Sequence, residues 1–80
     1  MDKMWEIRIE KEPSLGAKPW RVRVKMGEHG VALDDFHTKA QARRATIAEE
    51  KAGWPAIRRW LVGEKERGES WAVVALSKMG

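Results

Sequence analysis

The sequence predicts an α+β domain, an antiparallel sheet of about four strands with one long, alanine-faced helix packed on it. Three observations carry this expectation. Two early stretches alternate apolar and charged residues with period 2, a capped alanine-rich stretch follows them, and a short apolar run lies near the end of the chain.

The first strand is expected over residues 4–11, where Trp5, Ile7 and Ile9 alternate with Glu6, Arg8 and Glu10. Two prolines and a glycine between Glu12 and Pro19 break the pattern and predict a loop. Alternation returns over residues 20–26, with Trp20, Val22, Val24 and Met26 on one side and Arg21, Arg23 and Lys25 on the other. Gly27-Glu28-His29-Gly30 reads as a tight turn and Val31-Ala32-Leu33 as a short third strand. Thr38-Lys39-Ala40-Gln41 then matches a capping box, in which the Thr and Gln side chains take up free backbone N–H groups at a helix start. The stretch to Ala52 is rich in helix formers, and Gly53 suits the position that ends the helix. Ala42, Ala45, Ala48 and Ala52 share one side, with Ala40 and Ile47 nearby, so the helix is expected to sit close to the sheet. Trp5 and Trp20 are expected to fill the remaining core space.

Two readings remain open after Gly53. Pro55 fits a first helical position, and Ile57, Trp60 and Leu61 have helical spacing, which favours a two-turn helix and makes Trp60 a core residue. The rival is a strand over residues 59–62 that turns through Gly63–Gly68. Residues 71–76 form an apolar run bounded by turn signals, so a buried strand is expected there. The predicted order is therefore β-β-β-α-(α or β)-β, within a single domain over residues 1–80.

Composition bounds the function. A short chain with no Cys and two His has neither a disulfide framework nor a thiolate zinc site, so packing must hold it. Five tryptophans supply the apolar area. The N-terminus is charged at once, and no apolar run approaches the roughly 20 residues of a membrane span, so a soluble, cytoplasmic protein is expected. The net charge of +4 permits a nucleic-acid or acidic-protein partner, although acids are mixed among the bases.

Catalytic signals are weak. His29, Asp34, Asp35 and His37 cluster in the chain, but their spacing matches no metal motif. The serines lack a nucleophile-elbow context and no phosphate loop appears. No enzyme activity, metal, cofactor or small-molecule substrate is expected.

The basic positions offer more. Pairing of the first two strands places Arg21, Arg23 and Lys25 opposite Glu6, Arg8 and Glu10, so the cations either neutralise the two glutamates or meet phosphate. Lys18 precedes this strand and Arg43 points away from the alanine side of the helix. Arg58 and Arg59 adjoin Trp60, a combination suited to phosphate contact with base stacking.

Pro19-Trp20-Arg21-Val22-Arg23-Val24, Phe36-His37-Thr38-Lys39 and Ala42, with the strand before them, resemble the arm-type DNA-binding domains of phage tyrosine integrases. The resemblance covers residues 4–52 and implies three antiparallel strands, one helix and a sheet lying in the major groove, with Arg21, Arg23 and Lys25 facing DNA. Two features depart from it: Val31–Asp35 carries no cation, and residues 54–80 have no counterpart. The chain is expected to be complete from Met1 to Gly80, without the catalytic region of an integrase. In size and style it is also similar to small phage inhibitors of host defences, such as anti-CRISPR proteins. The leading expectation is a non-enzymatic phage or mobile-element module that binds nucleic acid through the basic sheet face. Its alternative is an inhibitor docking on a host defence protein or nucleoprotein complex. Either would use Lys18, Arg21, Arg23, Lys25, Arg43, Arg58 and Arg59.

Overall fold

Period-2 alternation builds the first half of the chain, as expected. The computed structural model describes residues 5–79. Strands β1 (Glu6–Lys11), β2 (Trp20–Met26) and β3 (His29–Phe36) pair antiparallel in the order β1-β2-β3. Met4, where the alternation begins in the sequence, lies outside the described residues. A 3₁₀ turn at Pro13–Leu15 shapes the loop between β1 and β2.

The turn between β2 and β3 is tighter than the sequence suggests. Met26 pairs with His29, so only Gly27 and Glu28 connect the strands, and β3 extends well beyond residues 31–33. A bulge explains why its pattern is hard to read. The register shifts between Val22 and Arg23, so Leu33 and Asp34 together oppose Val22. The extra residue inverts the alternation: Val31 and Leu33 face inward before it, and Asp35 faces outward beside Arg21 after it.

Helix α1 (Lys39–Lys51) begins with the expected capping box. The Thr38 hydroxyl accepts from the Gln41 amide, and the Gln41 side chain accepts from the Thr38 amide. It ends at Gly53, whose positive φ lets its amide reach the Glu50 carbonyl and the Trp54 amide reach the Glu49 carbonyl. Residues 56–62 are helical, within α2 (Pro55–Glu66), so the strand alternative there is excluded. Gly68 closes α2 as Gly53 closes α1, with Gly68 donating to Lys65 and Glu69 to Glu64.

The fourth strand does not form. Residues 71–76 belong to helix α3 (Ser70–Met79), and the described residues make a three-stranded sheet with three helices. A short apolar run does not separate a strand from a buried helix. Here the helical spacing decides, because Ala72 and Ala75 are buried while Val73 and Val74 are exposed. Helices α2 and α3 lie antiparallel, with Arg58 Nη2 donating to the Met79 carbonyl at 3.2 Å.

The core also lies elsewhere than the sequence suggests. Its main cluster joins Val24 and Met26 of the sheet to Trp54, Ile57, Leu61, Ala72 and Ala75, so α2 and α3 supply most of it. Along α1 only Ala42 is fully buried; Ala45 is half-buried, and Ala40, Ala48, Ala52 and Ile47 are exposed. The expected alanine-faced contact is thus confined to a small part of the helix. Trp54, Trp5, Trp60 and Trp71 join or pack against this cluster, whereas Trp20 lies outside it, half-buried on the inward side of β2. Trp5 meets Trp54 edge-on at 5.7 Å, and Trp71 sits 5.6 Å from Trp60.

Candidate polyanion-binding site

All three helices pack on the inward side of the sheet, the side of Val22, Val24 and Met26. Its outward face stays open, with Glu6, Arg8, Lys25, Gly30 and Ala32 exposed. The register places Glu6 opposite Lys25, Arg8 opposite Arg23 and Glu10 opposite Arg21, as the alternation predicts.

The cations of this face are largely occupied. Arg21 grips Asp35 with two bonds, Nε to Oδ1 at 2.9 Å and Nη2 to Oδ2 at 3.3 Å. Arg23 Nε lies 3.1 Å from Glu10 Oε1, and Arg8 Nε 3.0 Å from Glu6 Oε1. The hydrogen bond from Arg21 holds the Asp35 carboxyl below its ordinary value, with the nearby charges of Arg21, Lys18 and Arg23 adding to the effect. The same hydrogen bond raises Arg21. Four cations (Arg8, Arg21, Arg23, Lys25) thus stand against three carboxylates (Glu6, Glu10, Asp35). Lys25 is the candidate cation here that forms no ion pair among the described residues.

The excess positive charge gathers at one end of the sheet. Lys11 closes β1, Lys18 lies in the loop, and Lys39, Arg43 and Arg44 occupy the first turns of α1, all exposed. Glu10, Glu12, Asp34 and Asp35 are the carboxylates of that sequence neighbourhood, of which Glu10 and Asp35 are held by Arg23 and Arg21. Lys39 and Arg43 are four residues apart and share a side of α1. His37 Nδ1 lies 2.8 Å from the Ala17 carbonyl oxygen, which holds the loop beside the start of α1. Trp20 sits at the centre of this end, with the Lys11 ammonium 5.7 Å and the Lys39 ammonium 5.9 Å from its ring centroid. The sequence assigns Trp20 to the core; the pairing that puts Lys11 directly opposite it is the signal against that assignment.

Arg58 and Arg59 are not part of this group. Arg58 is bonded to the Gly53 and Met79 carbonyls and ties α2 to α3, while Arg59 is exposed on α2. The histidines are engaged too, His37 as above and His29 stacked on Trp71 at 3.8 Å. Among the described residues no three His, Cys, Asp or Glu side chains come together as a metal site. A cavity of about 140 Å³ between the sheet and α1 is lined by Val22, Leu33, Phe36 and Trp54, with Asp34 and Glu49 at its polar side. Glu49 is committed to accepting from the Ala56 amide, where it caps α2. No helix among the described residues is long and apolar enough to cross a membrane.

Fold and site together define a small α+β domain with an ion-paired open sheet face and a basic end built around one tryptophan. The chain matches no family model, no curated protein and no solved structure with which it was compared.

Proposed function

We propose that the chain is a non-catalytic module that binds nucleic acid through the basic end of its sheet. The observation that carries this reading is the charge distribution. On the outward face Arg21 and Arg23 already have carboxylate partners, whereas Lys11, Lys18, Lys39, Arg43 and Arg44 gather at one end and form no ion pair among the described residues. Phosphates approaching the outward face must displace Asp35 and Glu10. Phosphates approaching the end meet cations and release condensed counterions, giving an affinity that falls steeply with salt. The site expected from sequence thereby moves from Arg21, Arg23 and Lys25 toward Lys18 and Arg43, joined by Lys11, Lys39 and Arg44.

Fluorescence anisotropy with labelled duplex DNA, single-stranded DNA and RNA, at low and physiological salt, tests the proposal. Micromolar or tighter binding that weakens steeply with salt supports it. Absence of binding at low salt removes it.

A specific feature favours a second reading, docking on a protein as an inhibitor of host machinery. Val62, Val73 and Val74 of α2 and α3 are 44%, 47% and 52% exposed. Exposed apolar side chains on these two helices suit a protein partner better than a polyanion. Under this reading Val73→Lys abolishes capture of a host complex and leaves nucleic-acid affinity unchanged.

A further inference from the structure

Trp20 is the tryptophan that does not pack against the main core cluster. The other four join or pack against the main cluster. Trp20 faces inward on β2, beyond that cluster, in a cross-strand row with Lys11 of β1 and Phe36 of β3. Its ring is half-buried and lies within 6 Å of two ammonium groups, those of Lys11 and Lys39. Neither lysine forms an ion pair among the described residues.

Two like charges drawn to one ring repel each other, and each gains only a modest cation–π attraction at an exposed site. An anion near both ammonium groups removes the repulsion. A planar group against the indole uses the ring that the lysines now cover. A nucleotide carries both parts, a phosphate and an aromatic base. A duplex keeps its base faces stacked internally, whereas a single strand offers them to an aromatic side chain.

We infer that Trp20, Lys11 and Lys39 form a single-strand site, in which an unpaired base stacks on Trp20 and the adjoining phosphates lie against the two lysines. The inference rests on the nucleic-acid reading above and narrows its substrate to single strands. Stacking is sequence-tolerant, because every base has a π face, so affinity follows strand type more than sequence.

The test uses a labelled oligothymidylate of roughly 12 nucleotides, within the usual span of such sites, with a duplex of equal length and inorganic polyphosphate as companions. The expected result is tighter binding of the single strand than of the duplex. Trp20→Leu lowers single-strand affinity by about tenfold and leaves both duplex affinity and the salt slope unchanged, while Trp20→Phe retains most of the binding. Trp20 lies outside the core cluster, so both variants are expected to fold, which circular dichroism checks. The wild-type protein supplies a readout independent of the variants: photocrosslinking to iodouracil in the strand, mapped by mass spectrometry, places the adduct on Trp20. Equal affinity for strand and duplex with no effect of Trp20→Leu, or an adduct confined to other residues, overturns the single-strand site and leaves polyanion binding standing. Failure to bind strand, duplex and polyphosphate overturns both.

Discussion

Trp54 holds three roles at one position, and the two smallest replacements separate them. It follows Gly53 in the link between α1 and α2, donates its amide to Glu49 and precedes Pro55. Its side chain is 8% exposed, within the core and edge-on to Trp5. Its backbone is left-handed, with φ 59° and ψ 50°, a region that costs a side-chain-bearing residue about 1–2 kcal/mol. Trp54→Ala removes the indole and retains that backbone cost. Truncation of a large aromatic in a core costs about 3–5 kcal/mol, against a total stability on the order of 4–12 kcal/mol for a chain of this length. Trp54→Gly also loses the indole but relieves the left-handed strain, partly offset by the greater chain freedom of glycine when unfolded. Glycine at position 54 is therefore expected to be more stable than alanine by about 0.5–1 kcal/mol. In a helix or strand the order is reversed. Urea titration followed by far-UV circular dichroism measures the difference, with sucrose added to keep both variants folded. Alanine equal to or more stable than glycine refutes the left-handed assignment and the α1–α2 connection built on it.

Three further outcomes follow from other parts of the fold. Thr38→Ala removes the capping-box hydroxyl and is expected to cost about 1 kcal/mol of stability in the same titration, with Thr38→Ser nearly neutral. Ala42 is fully buried and Ala48 exposed, so Ala42→Leu is expected to destabilise by about 1–3 kcal/mol while Ala48→Leu leaves stability almost unchanged; equal costs contradict the placement of α1. Asp35 is held below its ordinary value of 3.8, chiefly by the hydrogen bond from Arg21. A depressed folded-state pKa contributes stability that is fully present above the ordinary value and is lost as pH falls through the folded one. Melting temperatures of the wild type and Asp35→Asn are thus expected to differ above about pH 4 and converge at lower pH; a constant gap down to pH 2 contradicts the Arg21–Asp35 pairing as the cause.

Particular residues show what the sequence made legible. The β1–β2 register, the capping box at Thr38 and Gln41 and the stop at Gly53 could be read directly, because each depends on neighbours in the chain or on strict alternation. The bulge at Leu33 and Asp34 could not, since one inserted residue inverts the alternation that marks a strand. Residues 71–76 misled for a different reason. Trp71, Val73, Val74 and Leu76 favour a strand locally, but no sheet position is filled by them, and packing of Ala72 and Ala75 against the α2 side of the core selects the helix. The candidate site divides in the same way. Alternation places Arg21, Arg23 and Lys25 correctly on an open face, yet the carboxylates that occupy two of them come from Asp35 on β3 and Glu10 on β1. Asp35 reaches Arg21 only because of the bulge. Trp20 stands apart from the main cluster because that cluster gathers around Val24 and Met26 at the other end of β2, a tertiary outcome that local pattern does not contain.

The central claim, that phosphates meet the basic end around Trp20 and not the outward sheet face, is tested most directly by the salt dependence of two double variants. The observed affinity for an oligonucleotide falls with salt in proportion to the phosphates neutralised. Lys11→Gln with Lys39→Gln is expected to flatten the log–log slope by roughly 1.4 for a single strand or 1.8 for a duplex. Arg21→Ala with Arg23→Ala, which removes cations already paired with Asp35 and Glu10, is expected to leave the slope as in the wild type. A slope unchanged in the lysine variant and flattened in the arginine variant returns the binding surface to the sheet face and contradicts the account.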